Sequence, residues 1–482
     1  QLSYSLWDMV LFDKTARQDN LTLLLNTSCL DANTENGKII SITAWQSPCE
    51  TVHTIKARYF ADCSGDSILS TLTGAHFRYG REAESEFGES IEPKTADKKT
   101  MGMSCLFQVR ETDKPQKFTP PEWAYKYCTD DDIPFREHDL SSNFWWIETG
   151  GEGDCIHDTD KCRDELLKIA YGVWDHIKNH GDHGAENYEL EWVGILPGKR
   201  ESRRYVGKYT VTQNDVEAGG NFDDIIAYAG WSMDDHSPAG INHKTSYPTV
   251  FHPAPSPWGI PFRALCSENI ENLLFAGRNI SVTHAALSSS RVMATCALLG
   301  QAVGTAVAQM VQYGENTDNI DIERLQDSLM ADDCWLPGKN RSVSELSLDL
   351  KCNNDIVING KERGDENRWI GERGDYLEYK SDRPFKLSGV RIVFDSDLNR
   401  DYQNMPCCIR LKEERFKLPK TLINDFDIIL TNKDGNTETH PFRNIHTRFL
   451  KLDIKGEVLS VKLLPLETYG AETFNIFGFE VF

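Results

Sequence analysis

Basic side chains are scarce: 52 Lys and Arg stand against 74 Asp and Glu, a formal net charge of −22 over 482 residues. Nucleic acid and anionic lipid both call for a cationic surplus on one face, so neither is an expected partner. The 13 cysteines contain no Cys-x-x-Cys, and the closest pair is the adjacent Cys407 and Cys408, which excludes a zinc ribbon or a dithiol redox motif. An odd number of cysteines requires at least one free thiol. That favours reduced, buried cysteines and leaves cytoplasmic, periplasmic and secreted locations all open. Internal repeats and low-complexity tracts are absent. So is an initial Met: the chain opens on Gln1 inside an amphipathic helix carrying Trp7, Val10 and Leu11. A segment upstream is therefore expected, and no leader peptide is legible.

What is present is ample for folding. Apolar residues make up 39% and aromatics 10%, enough for two or three domains with real cores. "LTLLLN" (Leu21 to Asn26) reads as a buried strand, followed by an Asn36-Gly37 hairpin turn and a further strand ending in "FADCSGD". A short helix, "SILSTLTGA", comes next. Residues 80–190 are irregular with two helical stretches at most, and residues 191–250 alternate strands with loops. After a linker at 332–342, short alternating strands recur to the C-terminus and predict an all-β sandwich.

The segment "NLLFAGRNISVTHAALSSSRVMATCALLGQAVGTAVAQMV" (272–311) carries no charge beyond Arg291. Val292, Cys296, Leu299, Val303, Val307 and Met310 make an apolar stripe at helical spacing, while Ala294, Gly300, Gly304 and Ala308 form a small-residue face. Gln301, Gln309 and the low side-chain bulk argue against a membrane span, so a helix within an α/β domain is expected. Strand, glycine, then helix presents free amides to an electron-rich ligand. Gly277, Arg278, Asn279, His284, Ser288 to Ser290 and Arg291 would surround it. The same residues would also serve as helix caps facing water.

Three further groups carry chemistry. Arg200, Glu201, Arg203 and Arg204 could orient an anionic or hydroxylated substrate, or pair along a strand. Asp234, Asp235 and His236 could form an acid/base set, or a turn. His176, His180 and His183 have a zinc-compatible spacing, but Gly181 interrupts the helix and no metalloprotease Glu is near. They read as a solvated helix end, with no metal site expected.

Taken together, "ARYFADCSGDSILSTLTGA", "LPGKRESRRYVGKYTVTQNDV", "AYAGWSMDDHSPAG" and residues 272–306 resemble, in order, bacterial-type FAD-dependent oxidoreductases often labelled xanthan lyase. The resemblance covers roughly residues 1–335. It implies that Ser64, Gly65 and Asp66 lie beside the flavin, and that Gly277, Arg278, Asn279, Arg291, Thr295, Gly300 and Gln301 hold the ring and pyrophosphate side. The family opens with a Gly-x-Gly-x-x-Gly turn, which has no counterpart here: Gly151-Glu-Gly153 continues Asp154-Cys155-Ile156. The expected fold is thus an α/β, FAD/NAD(P)-binding Rossmann-like domain (1–335) lacking its first βαβ unit. FAD is expected for the complete protein and weak or absent in this chain. Residues 341–482, with Trp369 before a strand and "VRIVFDSDL" after it, resemble a galactose-binding-like jelly roll of the discoidin type.

The expected function is flavin-dependent oxidation of a small-molecule or carbohydrate-related substrate, with Arg200, Asp235, His236 and His284 as catalytic candidates. The alternatives are a non-catalytic glycan-binding or scaffold protein and, from the family's label alone, a polysaccharide lyase.

Overall fold

The computed structural model describes residues 4–140, 143–398 and 418–482. The chain divides into two compact units, with the division in its described part between Leu325 and Gln326; the linker expected at 332–342 lies within the second unit.

The first unit begins with α1 (Tyr4–Ala16), whose Trp7, Val10 and Leu11 are exposed. The buried strand expected over Leu21–Asn26 does not form: the segment is coil and turn, and Leu21, Leu23 and Leu25 are exposed. Pairing starts at Thr27, because the Asn36-Gly37 turn sets the register of β1 (Thr27–Glu35) on β2 (Lys38–Gln46). Both turn residues have positive φ, 50° and 74°, as a two-residue hairpin of the primed type requires. The addition of β3 (Thr51–Ile55) completes a meander, and β4 (Phe60–Asp62) then leads to α2 (Ile68–Thr73).

Within residues 80–190 the helices are Glu84–Phe87 and α3 (Thr159–Asn179). Leu166, Ile169, Val173 and Ile177 recur three to four residues apart and bury one face of α3 among Phe107, Phe144 and Trp146. Two antiparallel pairs follow: β5 (Ile225–Ala229) with β8 (Trp258–Pro261), and β6 (Met233–His236) with β7 (Thr249–His252). Finally β9 (Leu273–Phe275) pairs in parallel with β4 and leads into α4 (His284–Ser290) and α5 (Met293–Tyr313).

α5 buries Thr295, Leu299, Ala302, Val303, Ala306, Gln309 and Met310 and packs on β5, so its buried face is rotated from the expected stripe. Gln309 is accommodated because its amide donates to the Glu315 carboxylate and the Asp321 carbonyl. Ala294, Gly300, Gln301, Gly304 and Ala308 are exposed. Among the described residues α5 is the helix long and apolar enough to cross a membrane.

In the second unit two antiparallel four-stranded sheets form a jelly-roll sandwich. Its strands are β10 (Trp369–Gly371), β11 (Leu377–Leu387), β12 (Val390–Phe394), β13 (Ile423–Asn432), β14 (Thr437–Phe442), β15 (Phe449–Leu452), β16 (Gly456–Thr468) and β17 (Phe474–Val481). The sheet orders are β10-β17-β12-β15 and β11-β16-β13-β14. Phe394, Phe426 and Phe479 fill the core, and Trp369, 9% exposed, belongs to it. The strand expected at "CCIRLKE" lies outside the described residues, as do Cys407 and Cys408. All described cysteines are free.

Candidate functional site

Alternation along β6 organises the site. Asp234 and His236 point to one side and Asp235 to the other, so neighbouring residues serve two separate imidazoles. His236 Nδ1 lies 2.8 Å from Glu148 and its Nε2 lies 3.1 Å from Asp234. His284, the first residue of α4, lies 2.9 Å from Glu201 through Nδ1 and 3.2 Å from Asp235 through Nε2. Each histidine is thus buried between a Glu and an Asp. Asp234-Asp235-His236 is a strand and not a turn.

The charges are mutually tuned. Burial disfavours the His284 imidazolium, yet Glu201 and Asp235 hold its pKa well above the usual histidine value. Burial raises Asp234, but His236, Thr249 and Arg291 outweigh it and bring its carboxyl down to about 2. Arg291 closes the C-terminus of α4 and donates to Asp234, 3.2 Å away. Arg200 is spent on the Ser104 hydroxyl (2.9 Å), the Trp145 carbonyl (2.9 Å) and Glu148 (3.4 Å), so it holds Glu148 in place beneath His236. Arg204 is fully buried against Glu82 and Glu201, and Arg203 donates to the Asp66 carbonyl. The arginine cluster is interior structure, neither a surface ladder nor a free anion clamp.

Four acids were not singled out from the sequence. Glu82 accepts from the His284 amide, Glu92 from the Ala285 amide, Glu89 from the Thr283 hydroxyl, and Glu148 pairs with His236. The first three gather at the N-terminus of α4, where the helix dipole favours negative charge. Burial lifts Glu92 furthest, to about 7, against the opposing pull of His284, and its Oε2 has no partner. No local motif marks these residues; they are distant in sequence from the amides they cap.

A second cluster stands at the C-terminal ends of the parallel strands β4 and β9, where α/β folds place ligands. Gly65, Asp66, Gly277, Arg278 and Asn279 come together there. Arg278 donates to the Gly65 carbonyl and to Asp66, each at 2.6 Å, and Lys199 and Ser202 also hold Asp66. Burial raises the Asp66 carboxyl, yet the two cations bring it down to about 2. Asn279 donates to Asp62 and keeps a buried Oδ1 without a partner. Cys296, in the first turn of α5, is within electrostatic reach of Arg278 and Cys63. Thr295 is buried on the opposite face of α5 from Gly300 and Gln301, so those three do not share one surface.

A cavity of about 820 Å³ adjoins the histidine network, walled in part by Phe135, Arg136, Trp145, Tyr247 and Thr249. Trp145 meets the His236 ring edge-on at 5.1 Å, and the Thr249 hydroxyl donates to Asp234. The three helix histidines separate: His180 pairs with Asp175, whereas His176, only 1% exposed, and His183 turn inward. The expected solvated helix end is therefore incorrect for His176, which α3 carries on its packed face.

No curated protein sequence matches the chain. The second unit is similar to solved carbohydrate-binding modules. A family 32 module of Streptococcus pneumoniae EndoD is 10% identical, with 28% of this chain and 92% of that chain covered and a TM-score of 0.20. A Streptococcus pneumoniae fucose binding module is 16% identical, covering 27% and 80% with a TM-score of 0.19. A Clostridium perfringens module in complex with GalNAc-β-1,3-galactose is 12% identical, covering 27% and 92% with a TM-score of 0.19. The model of the family described as "FAD dependent oxidoreductase" matches residues 6–329, the span that contains the parallel strands, the paired imidazoles and the cavity, and the chain belongs to that family.

Proposed function

We propose that the first unit is a flavin-dependent oxidoreductase whose substrate, a small hydroxylated or carbohydrate-related molecule, occupies the cavity beside Trp145 and Thr249. The observation that carries this reading is the pair of buried, carboxylate-clamped imidazoles, with the cavity against His236 and Arg291 linking Asp234 to the start of α5.

The residues present fit the ring half of FAD. α5 starts from Val292, which offers no side-chain cap, so no cap side chain occupies the first amides of the helix, the end its dipole makes favourable to an electron-rich group. Gly277 has φ 128°, a backbone that disfavours any side chain, beside the unpartnered Asn279 Oδ1. Arg278, Asn279, Arg291 and Thr295 would hold this half, with Gly65 and Asp66 beneath Arg278. No pyrophosphate turn is found among the described residues. Gly151 is wedged against Thr100 and Pro238 backbone and has no free approach.

When bound, the flavin would accept a hydride from the substrate. The chain's own residues supply position and protons. His284, held as an imidazolium, fixes a positive charge between Glu201 and Asp235. Glu92 retains a proton to about pH 7, the range in which a general acid or base works best. Thr249 joins the cavity wall to Asp234. Trp369 lies in the core of the second unit, so its indole is not available as a stacking surface for a sugar ring.

The test is flavin binding by the FAD-supplemented chain, together with dye-linked oxidation of a panel of sugars and hydroxy acids. Arg291→Ala should weaken flavin binding or turnover relative to Lys455→Ala on the exposed surface of the second unit. Equal behaviour of the two variants would place the ligand site elsewhere.

A further inference from the structure

Outside the flavin site, four side chains from three segments converge. Asp130 starts a 3-10 turn (Asp130–Asp132), His138 follows it, His176 lies in the last turn of α3, and His183 lies beyond that helix's end. One ligand atom from each lies within 4.8 Å of all the others. Asp130 Oδ1 is 3.2 Å from His176 Nε2, 3.4 Å from His138 Nδ1 and 4.0 Å from His183 Nε2. Tetrahedral bonds of about 2.0–2.1 Å imply edges of roughly 3.3 Å, so of these three edges the one to His183 is the one that must shorten.

Two hydrogen bonds settle which nitrogens are free. His176 Nδ1 lies 2.9 Å from the Tyr127 carbonyl and His138 Nε2 lies 3.3 Å from the Ile133 carbonyl. A carbonyl accepts only from N–H, so in the neutral imidazole the other nitrogen of each ring carries the lone pair, and that nitrogen faces the cluster. This is the arrangement of metal-ligating histidines, which donate their second N–H to a carbonyl or carboxylate. The Nε2 atoms of His176 and His183 are buried and make no hydrogen bond. Three imidazole edges meet there, with His176 centroids 4.9 Å from both His138 and His183. The His176 and His183 lone pairs converge with no hydrogen-bond donor to meet them, and a buried polar atom left without a hydrogen bond is unfavourable.

We infer that Asp130, His138, His176 and His183 bind one divalent transition-metal ion, with zinc the best match to three imidazoles and one carboxylate in tetrahedral array. The two histidine carbonyl partners orient the rings. Asp130 is 76% exposed on its side chain, so the ion enters and leaves from that side. The ion ties the end of α3 to the segment that carries Phe135 and Arg136 into the cavity wall. Its role is to hold that wall, apart from the flavin chemistry. Gly181 fits the same geometry: a Cβ there would meet His183 Nε2 at 2.9 Å.

The test uses the whole chain, stripped with a chelator and titrated with zinc alone. One equivalent should bind and raise the thermal midpoint. Cobalt in its place should give the intense visible bands of a tetrahedral site. His183→Ala and Asp130→Asn should each weaken zinc by at least about ten-fold, and His180→Ala should leave binding unchanged. Both variants are checked for a native circular dichroism spectrum. Absence of stoichiometric binding, weak octahedral cobalt bands, or undiminished affinity in native His183→Ala overturns the site.

Discussion

Glu92→Gln tests the electrostatics of the α4 N-terminus. Glu92 accepts from the Ala285 amide through Oε1, and its Oε2 is buried without a partner. Burial lifts its pKa from 4.5 to about 7, with Glu82 and Glu89 adding to the rise and His284 opposing it. A carboxyl with a raised folded pKa binds its proton more tightly folded than unfolded, so its contribution is harmless below pH 4.5 and costs stability as pH rises towards 7. The full rise corresponds to about 3 kcal/mol above pH 7 and about 1 kcal/mol at pH 5. Glutamine keeps the acceptor for Ala285 and does not ionise. The variant should therefore be more stable than the parent by about 2–3 kcal/mol at pH 8, roughly 5 °C in the first unit's melting transition, with a gap of about 1 kcal/mol at pH 5. Urea or thermal unfolding at the two pH values reads this directly. If Glu92 serves as the proton acceptor, turnover falls in the same variant, the usual exchange of stability for activity. A parent–variant gap that is equal at pH 5 and pH 8 would refute the reasoning.

Three further outcomes are expected. The purified chain should show little visible flavin absorption and bind added FAD weakly, because no described turn holds the pyrophosphate; tight stoichiometric binding would show that the ring half suffices. Trp369→Ala should destabilise the second unit by about 3–5 kcal/mol, since the indole is core and packs over Gly371; an unchanged melting transition would contradict its burial. A fragment of residues 326–482 should fold alone, whereas one starting at residue 345 should melt lower. The shorter piece loses Arg341, which with Arg391 neutralises the buried Glu362 and Glu480; identical midpoints by circular dichroism would rule out that contribution.

Local signals were legible in the sequence wherever backbone geometry or periodicity sufficed. Asn36-Gly37 specifies a hairpin because both residues accept positive φ. The recurring short strands announce a sandwich, and the four ordered stretches between residues 57 and 306 identify the oxidoreductase family. Tertiary structure decided the rest. Leu21 to Asn26 has strand composition but pairs with no strand, and it stays coil and turn. The buried face of α5 turned on whether Gln309 could find partners, and residues beyond the helix supplied them. Asp234-Asp235-His236 is compatible with turn or strand until β7 pairs with it. Glu82, Glu92 and Glu148 owe their roles to amides and imidazoles 88 to 202 positions away. His176 and His183 were visible as a spacing, but the third imidazole and the carboxylate came from His138 and Asp130, brought there by packing against α3. A spacing along one helix records only neighbours on that helix. Ligand sets and proton affinities depend on burial and on charges from distant segments, which exist only once the chain has folded.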